Sequence, residues 1–429
     1  MKFLLINPPI YDFAAYGLWA KPIGLLKIAS VLKKNRLEFY YFDTLDISDL
    51  TIKELKKYKI KRKESGRHTY IKKEVLKPEC LQNVHRKFYR FGKPEKKIYE
   101  YLSDLPTPDY VIITSVMTYW YPGPFEMIKT IKRFFPDSKI ILGGIYVNLC
   151  FEHAKKYSGA DYVVKSIDDI CTITGIKKTF NDFLPLEVYR KNYYAPIYTS
   201  YGCPFACGYC ANKFLNKGFF LRDIDKVFKE IIYYYENFGI TDFAFYDDAL
   251  LVDKDRHFIP LMEKIRQSKL PLRFYCPNGL HVSEITKKTA DIMIQSNIID
   301  IRLSLETSNE ELQKKIGDKT DNQSFVNAVK YLKQAGFKRD NISVYLLVGL
   351  PYQKKEDVIN SVKFAKQFDI KVKLAEYSPI PNTLLWKESI KVSQYDILNE
   401  PLLHNNKLLP AATKELTWAE LNKIKKIAR

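Results

Sequence analysis

Two separate series of apolar strands alternating with helices constrain the fold of this 429-residue chain more than any other feature. The first series begins with KFLLIN (2–7), an apolar run ended by Pro8 and Pro9, which reads as a buried strand. PIGLLKIASVLKKN (22–35) follows, with Leu25, Ile28, Ala29 and Leu32 at helical spacing. Lys33 and Lys34 sit in its last turn and Asn35 can end it. EFYYFD (38–43), DYVIITSV (109–116), KIILGGI (139–145) and DYVVKS (161–166) read as further strands, with a helix near 123–135. Near-continuous apolar strands separated by helices predict a parallel sheet covered on both faces, a doubly wound α/β domain over 1–166. Ligands of such sheets bind beyond the carboxyl ends of the strands. Those ends carry NPPIYDFAAYGLWAKP, TSVMTYWYPG and GGIYVNL, each rich in Gly, Pro and aromatic residues.

After a linker expected at 167–195, a second series follows. Strands are predicted at 197–202, 242–247, 273–277, 299–306, 342–349 and 372–378. Helical patterns separate them at 222–238, 255–268, 284–296, 322–336 and 354–369. Six βα units over 196–385 predict a partial parallel barrel, since a complete eightfold barrel takes about 250 residues. Its functional groups are expected at the carboxyl-terminal face. Residues 386–429 form a less regular extension, closed by a helix that opens with Thr417 and Glu420 in capping-box spacing.

The net charge is +20, from 69 Lys and Arg against 49 Asp and Glu. Residues 51–100 hold 17 basic residues against 6 Glu and no Asp, within a basic insertion at 51–105 that shows no clear helix. Such a patch attracts nucleic acid or an anionic substrate, and equally suits a solvated lysine-rich surface. Its SGRHTYIKKEVLKPEC (65–80) and HRKFYRFG (85–92) mix Arg, His and aromatics, which suits phosphate binding and base stacking. No complete RNA-binding module is visible. No apolar stretch reaches the roughly 20 residues of a bilayer span. MKFLLINPP reads as a strand and not a signal peptide, so the expected location is cytoplasmic. Seven cysteines, three clustered and Cys80, Cys150, Cys171 and Cys276 scattered, do not form a disulfide framework.

The cluster lies in YTSYGCPFACGYCANKF (198–214), directly after the first barrel strand. Cys203, Cys207 and Cys210 are spaced C-x3-C-x2-C, with Gly202 and Gly208 allowing a tight loop. Three thiolates are one short of the usual four for a structural zinc or a four-iron cluster. Cys276, at the end of the third strand, is a candidate fourth ligand for zinc, or a buried free thiol.

CPFACGYC resembles the signature of the radical S-adenosylmethionine (SAM) superfamily, with Tyr209 in its aromatic place. FAFYDDAL (243–250) resembles the family's acidic segment, which implies that Asp247 and Asp248 lie beside the amino group of SAM. IRLSLET (301–307) resembles its fourth strand, with Ser304 and Glu306 facing the cofactor. VYLLVGLPYQKKED (344–357) resembles the fifth-strand motif, with Gly349 at the turn. YSPIPNT (377–383) resembles the sixth, with Asn382 in place of a glycine. The resemblance covers about 196–385 and implies a TIM-like (β/α)6 barrel. It implies one [4Fe–4S] cluster on Cys203, Cys207 and Cys210, with SAM on the open iron and its cleavage to a 5′-deoxyadenosyl radical. A flavodoxin- or ferredoxin-type reductant is implied as partner.

The domain order resembles the cobalamin-dependent group, in which a Rossmann-like cobalamin-binding domain precedes the barrel. KPIGLLKIASVLKKN and IILGGIYVNL resemble segments of that group, which makes Gly143 and Gly144 candidate cobalamin contacts. The D-x-H-x-x-G motif that supplies a histidine to cobalt is absent, and KSIDD (165–169) replaces the usual GEGE-like stretch. The implied reaction is methylation of an unactivated carbon, or a radical rearrangement or ring closure, on an unknown small molecule, lipid or peptide. An RNA-modifying enzyme and a non-catalytic cobalamin or redox sensor are the other readings. Met117, Tyr119, Trp120 and Tyr121 line a corrin or substrate cavity, or merely begin a hydrophobic helix. The lone histidines His68, His85, His153, His257 and His281 read as surface or core, and HNNK (404–407) as loop.

Overall fold

In the strand Lys2–Asn7, Leu4 and Ile6 enter one hydrophobic core while Phe3 and Leu5 enter another. Alternate side chains of a strand point to opposite sides, so a strand covered on both faces must be apolar throughout. The computed structural model describes residues 1–63, 65–181, 183–317 and 319–429. They divide into two units, residues 1–193 with 398–404 and residues 194–397 with 405–429.

The first unit is built on a five-stranded parallel sheet. Its order is Tyr162–Val163, Lys139–Leu142, Tyr110–Ile113, Lys2–Asn7 and Glu38–Asp43. On one face Leu4, Ile6 and Val111 pack with residues of the helices Glu95–Ser103 and Pro122–Phe134. On the other, Phe3, Leu5 and Ile112 pack with Leu25, Ala29 and Leu32 of the helix Ile23–Lys34 and with Ile170. The strand order reverses between Lys2–Asn7 and Tyr110–Ile113, the place where open sheets of this kind take ligands.

Two expectations are corrected here. The stretch from 167 is not a linker at first: Ser166 and Asp169 form a reciprocal capping box that starts the helix Ile167–Thr174, whose Ile170 is core. The division between units falls at 193/194. The basic insertion is also structured. It contains the helix Ile52–Lys57, and its strands Lys72–Val75 and Phe88–Phe91 pair antiparallel with each other and with Ile10–Asp12. The helix left no apolar periodicity to read because none of its residues is buried.

In the second unit six parallel strands stand in chain order: Ala195–Ile197, Asp242–Phe245, Arg273–Tyr275, Ile298–Glu306, Ile342–Val348 and Lys371–Glu376. The helices Ile224–Phe238, Phe258–Gln267, Lys287–Gln295, Asn322–Gln334 and Lys355–Lys366 lie between them in sequence, as the alternation predicts. The first strand is shorter than expected. It stops at Ile197, and Ser200–Tyr201 instead pairs antiparallel with Phe220–Leu221. HNNK is not a plain loop, since His404 and Asn405 are buried at the ends of two 3-10 turns. Thr417 caps the last helix, Trp418–Ala428, by accepting from the Glu420 N–H. No helix among the described residues is long and apolar enough to cross a membrane.

Leu5 is fully buried in the central strand of the first sheet. Leu5→Ala is expected to lose about 2–5 kcal/mol of stability, read as a lower midpoint in urea with an unchanged slope.

Candidate active site

The chain leaves the strand Ala195–Ile197 under the control of a buried carboxylate. Asp247 Oδ1 accepts from the backbone N–H groups of Thr199 (3.0 Å) and Ser200 (2.6 Å) and from their hydroxyls (2.8 and 2.7 Å). Through these bonds Asp247 positions the start of the cysteine loop. Gly202 then turns the chain at φ +76°, and a Cβ there would lie 2.0 Å from Gly218 O, so only glycine fits. Farther along, Gly208 N–H donates to Ile316 O and Gly208 O accepts from Leu385 N–H, both at 2.8 Å. Gly317 packs so closely on Cys207 that a Cβ would sit 2.8 Å from its Cα. The loop is held from three sides.

Cys203 and Cys207 are half-buried and Cys210 is exposed. Burial, the two neighbouring thiols and Asp248 push the Cys203 thiol up to about 11. Burial, Cys207 and Asp248 also push Cys210 up. Among the described residues no three His, Cys, Asp or Glu side chains are already drawn into a metal-binding arrangement, these thiols included. Cys276 is buried beside Asp300 and Arg302.

Beside the loop stands a charged cluster that sequence reasoning found only in part. Tyr209 Oη donates to Glu306 Oε1 at 3.0 Å, and Lys319 Nζ lies 3.2 Å from the same oxygen. The Lys319 ammonium also sits 5.4 Å from the Tyr209 ring centroid. Both charged side chains are almost wholly buried. Burial works against the Lys319 charge, yet Glu306 and then Cys207 and Cys210 hold its pKa above the usual value. Glu306 adopts φ +67° where the register of its strand shifts, a left-handed backbone unusual for a carboxylate residue at a strand end. Lys319 carried no signal in the sequence, since one lysine among many is invisible without its neighbours. His281, read as surface or core, is buried with its ring 4.3 Å from that of Phe205 in the loop. Burial and Lys319 push it down to about 3, which keeps it neutral.

Asp248 accepts from Asn212 Nδ2, and the other amide atom, Asn212 Oδ1, is buried without a hydrogen-bond partner among the described residues. Asn212 N–H points to Cys210 Sγ at 3.4 Å. Ser304 is buried against Gly279, where a Cβ would meet Ser304 Oγ at 2.1 Å. Gly349 has φ +85° and faces Leu409 and Ala412, so its glycine serves the turn. Cys203, Cys207, Cys210, Tyr209, Glu306 and Asp248 therefore come together, while Ser304 lies against Gly279 and Gly349 makes a left-handed turn.

In the first unit, a slot of about 140 Å³ opens at the carboxyl ends of the strands Tyr110–Ile113 and Lys139–Leu142. Gly24, Ile28, Thr114, Gly143, Gly144 and Ser166 are among its walls. Gly144 (φ +105°) has an internal reason to be glycine, because a Cβ would strike Ser115 O at 2.2 Å. Gly24 has none: it lies in a helix, nothing approaches its Cβ position within 4 Å, and it faces the slot. The absence of a side chain at Gly24 leaves this part of the slot open. Of the aromatic segment, Tyr119 is buried, Trp120 Nε1 donates to Asp12 and Tyr121 Oη to Glu400, while Met117 is exposed. His153 accompanies Tyr146 (2.6 Å) and is pushed down to about 4 by burial.

Residues 197–365 match the model of the radical SAM superfamily. The chain carries a radical SAM domain. An uncharacterized methyltransferase of Pyrococcus horikoshii is 26% identical over 229 residues, 52% of this chain and 47% of that protein. Cytidylyl-2-hydroxyethylphosphonate methyltransferase of Streptomyces wedmorensis is 23% identical over 157 residues, 36% of this chain and 28% of that protein. The matched stretch thus spans less than half of each of these relatives. The radical SAM methyltransferase TsrM of Kitasatospora setae, solved with tryptophan and a SAM analogue, superposes with a TM-score of 0.65 at 14% identity over 95% of this chain and 82% of that one. The cobalamin-dependent enzyme OxsB, solved with aqua-cobalamin and SAM, gives 0.63 at 12% identity over 99% and 66%. At such identities the likeness is one of fold: a Rossmann-like domain followed by a radical SAM domain.

The electrostatics give a measurable sign. Burial raises the Asp248 carboxyl to about 6. Between about pH 4 and that value the unfolded chain releases this proton while the folded chain retains it, so stability falls as pH rises through the window. Asp248→Asn removes the effect and is expected to raise Tm at pH 8 while leaving it unchanged at pH 4.

Proposed function

We propose that this protein is a radical SAM enzyme in which Cys203, Cys207 and Cys210 bind a [4Fe–4S] cluster, SAM occupies the remaining iron, and cobalamin in the first unit serves methylation of an unactivated carbon. The observation that carries this reading is the loop itself: three thiols on one tight turn at a strand's carboxyl end, with a buried Lys319–Glu306–Tyr209 cluster beside them. When bound, the cluster supplies the electron that cleaves SAM reductively, and cobalamin supplies a methyl carrier.

The chain's own residues fit these groups. Three thiols are soft donors suited to iron–sulfur ligation and leave one position open. Lys319 offsets the negative charge that accumulates when the thiols lose their protons and offers a cation to the carboxylate of SAM. Glu306 and Tyr209 hold that cation in place; a buried ion pair gains little stability, so positioning is the better reason for it. The orphaned Asn212 Oδ1 and the neighbouring Asp248 offer acceptors to an amino group. Phe205 and the neutral His281 form an apolar wall that keeps water out. In the first unit the slot behind Gly24 fits a flat aromatic base such as that on the cobalamin tail, and Gly143 lines it. The methyltransferase names of the relatives favour methyl transfer over rearrangement or ring closure. A flavodoxin- or ferredoxin-type protein is the proposed reductant.

Anaerobic reconstitution with iron and sulfide tests the first part. The parent chain is expected to bind about four irons and, with dithionite, to convert SAM to 5′-deoxyadenosine and methionine. Cys203→Ala, Cys207→Ala or Cys210→Ala should lose cluster and cleavage together, and Cys276→Ala should lose neither. Metal retained by the first three variants, or lost from the last, overturns the assignment.

Cobalt content tests the second part. Protein from cobalamin-supplied cells should hold about one cobalt per chain. Gly24→Leu, which fills the slot, should lower cobalt at least severalfold with iron unchanged. Equal cobalt in Gly24→Leu would move the cofactor elsewhere.

A further inference from the structure

The basic insertion encloses a cavity that the proposed reaction does not use. It measures about 470 Å³ and shares no lining residue with the slot behind Gly24. Its walls come from the chain after the strand Lys2–Asn7, the end of the helix Ile52–Lys57, and the strands His68–Thr69, Lys72–Val75 and Phe88–Phe91. Lys57, Lys59, Lys61 and Lys72 all line it, and among the described residues no carboxylate does. Among the described residues none of these four lysines is ion-paired. The nearby carboxylates are engaged by other cations: Glu54 by Lys97, Glu74 by Lys87 and Asp49 by Lys93.

The other lining is aromatic. Phe13 and Tyr70 are buried, while Tyr16 stands 59% exposed, a free ring face. Lys59 holds a left-handed backbone at φ +52°, a conformation that glycine or asparagine adopts at lower cost. Four like charges around one cavity repel each other and gain most from a multiply charged anion. Phosphate alone would have no use for the rings; a flat base has, since stacking on aromatic faces contributes about 1–3 kcal/mol per base.

We propose that this cavity is a binding site for a nucleoside diphosphate, its phosphates on Lys57, Lys59, Lys61 and Lys72 and its base against the aromatic wall. The site stands apart from the cluster and cobalamin assignments, and its test needs neither group.

Calorimetric titration of the full chain with cytidine diphosphate, pyrophosphate and cytidine decides it. The diphosphate should bind at least about tenfold more tightly than either fragment, a difference of about 1.4 kcal/mol. Its affinity should fall as salt rises. The Lys61→Glu, Lys72→Glu pair should weaken binding by about tenfold or more. Lys73→Glu reverses a charge on the opposite face of the same strand and should change it less than twofold. Tyr16→Ala, an exposed position, should weaken the diphosphate but not pyrophosphate. Thermal melts establish that each variant is folded; if the double charge reversal is not, Lys57→Gln with Lys72→Gln takes its place. Absence of saturable binding, an equal loss in Lys73→Glu, or pyrophosphate binding as tight as the diphosphate overturns the proposal. So would a single-stranded oligonucleotide that binds where the diphosphate does not.

Discussion

The second unit depends on one buried carboxylate. Asp247, at the end of the second strand, accepts backbone and hydroxyl hydrogen bonds from Thr199 and Ser200 just after the first. Leaving any of these donors unpaired in the interior would be costly. The chain is thereby taken out of the sheet two residues after Ile197 and delivered to Gly202, where only glycine can turn. Everything that follows, including the spacing of the three thiols, inherits its position from that anchor. The Gly208 clamp to Ile316 and Leu385 fixes the far side of the loop.

Around the loop, charge is arranged so that each buried group answers another. Glu306 takes hydrogen bonds or ion contact from Tyr209 and Lys319, and Lys319 keeps its charge despite burial because Glu306 and the thiols favour it. His281 responds in the opposite sense, staying neutral beside that ammonium.

The first unit solves a different problem. A parallel sheet buried on both faces takes its ligands beyond the carboxyl ends of its strands. Two spaces lie there. One is narrow and apolar, kept open by Gly24; the other is wider, basic and aromatic, built by the insertion. The insertion holds itself together with small devices: a capping box at Thr51, a minor core of Ile47, Leu50 and Ile71, and ion pairs that engage nearby carboxylates. Among the described residues these leave the cavity's own lysines without a carboxylate partner, Lys72 and Lys57 lying over the rings of Tyr89 and Tyr58.

Much of this was legible in the sequence, for a physical reason. Strands buried on both faces must be apolar at every position, so the two alternating series announced two parallel sheets. Candidate ligand cysteines separated by two or three residues announce themselves too, because their proximity is local. The short helix Ile52–Lys57 left no trace because it buries nothing. The first barrel strand was read too long because Thr199 and Ser200 look like strand residues until Asp247, 48 positions away, draws them aside. The joining of Lys319 to Tyr209 and Glu306, the placing of His281 on Phe205, the bonding of Asp247 to Thr199 and Ser200, and the gathering of four lysines around one cavity all depend on pairs distant along the chain. Periodicity and local spacing determined the architecture and the metal-ligand candidates. Only the tertiary structure decided which charges meet, because electrostatic partnership depends on distance in space and on burial, and neither is written in the order of residues.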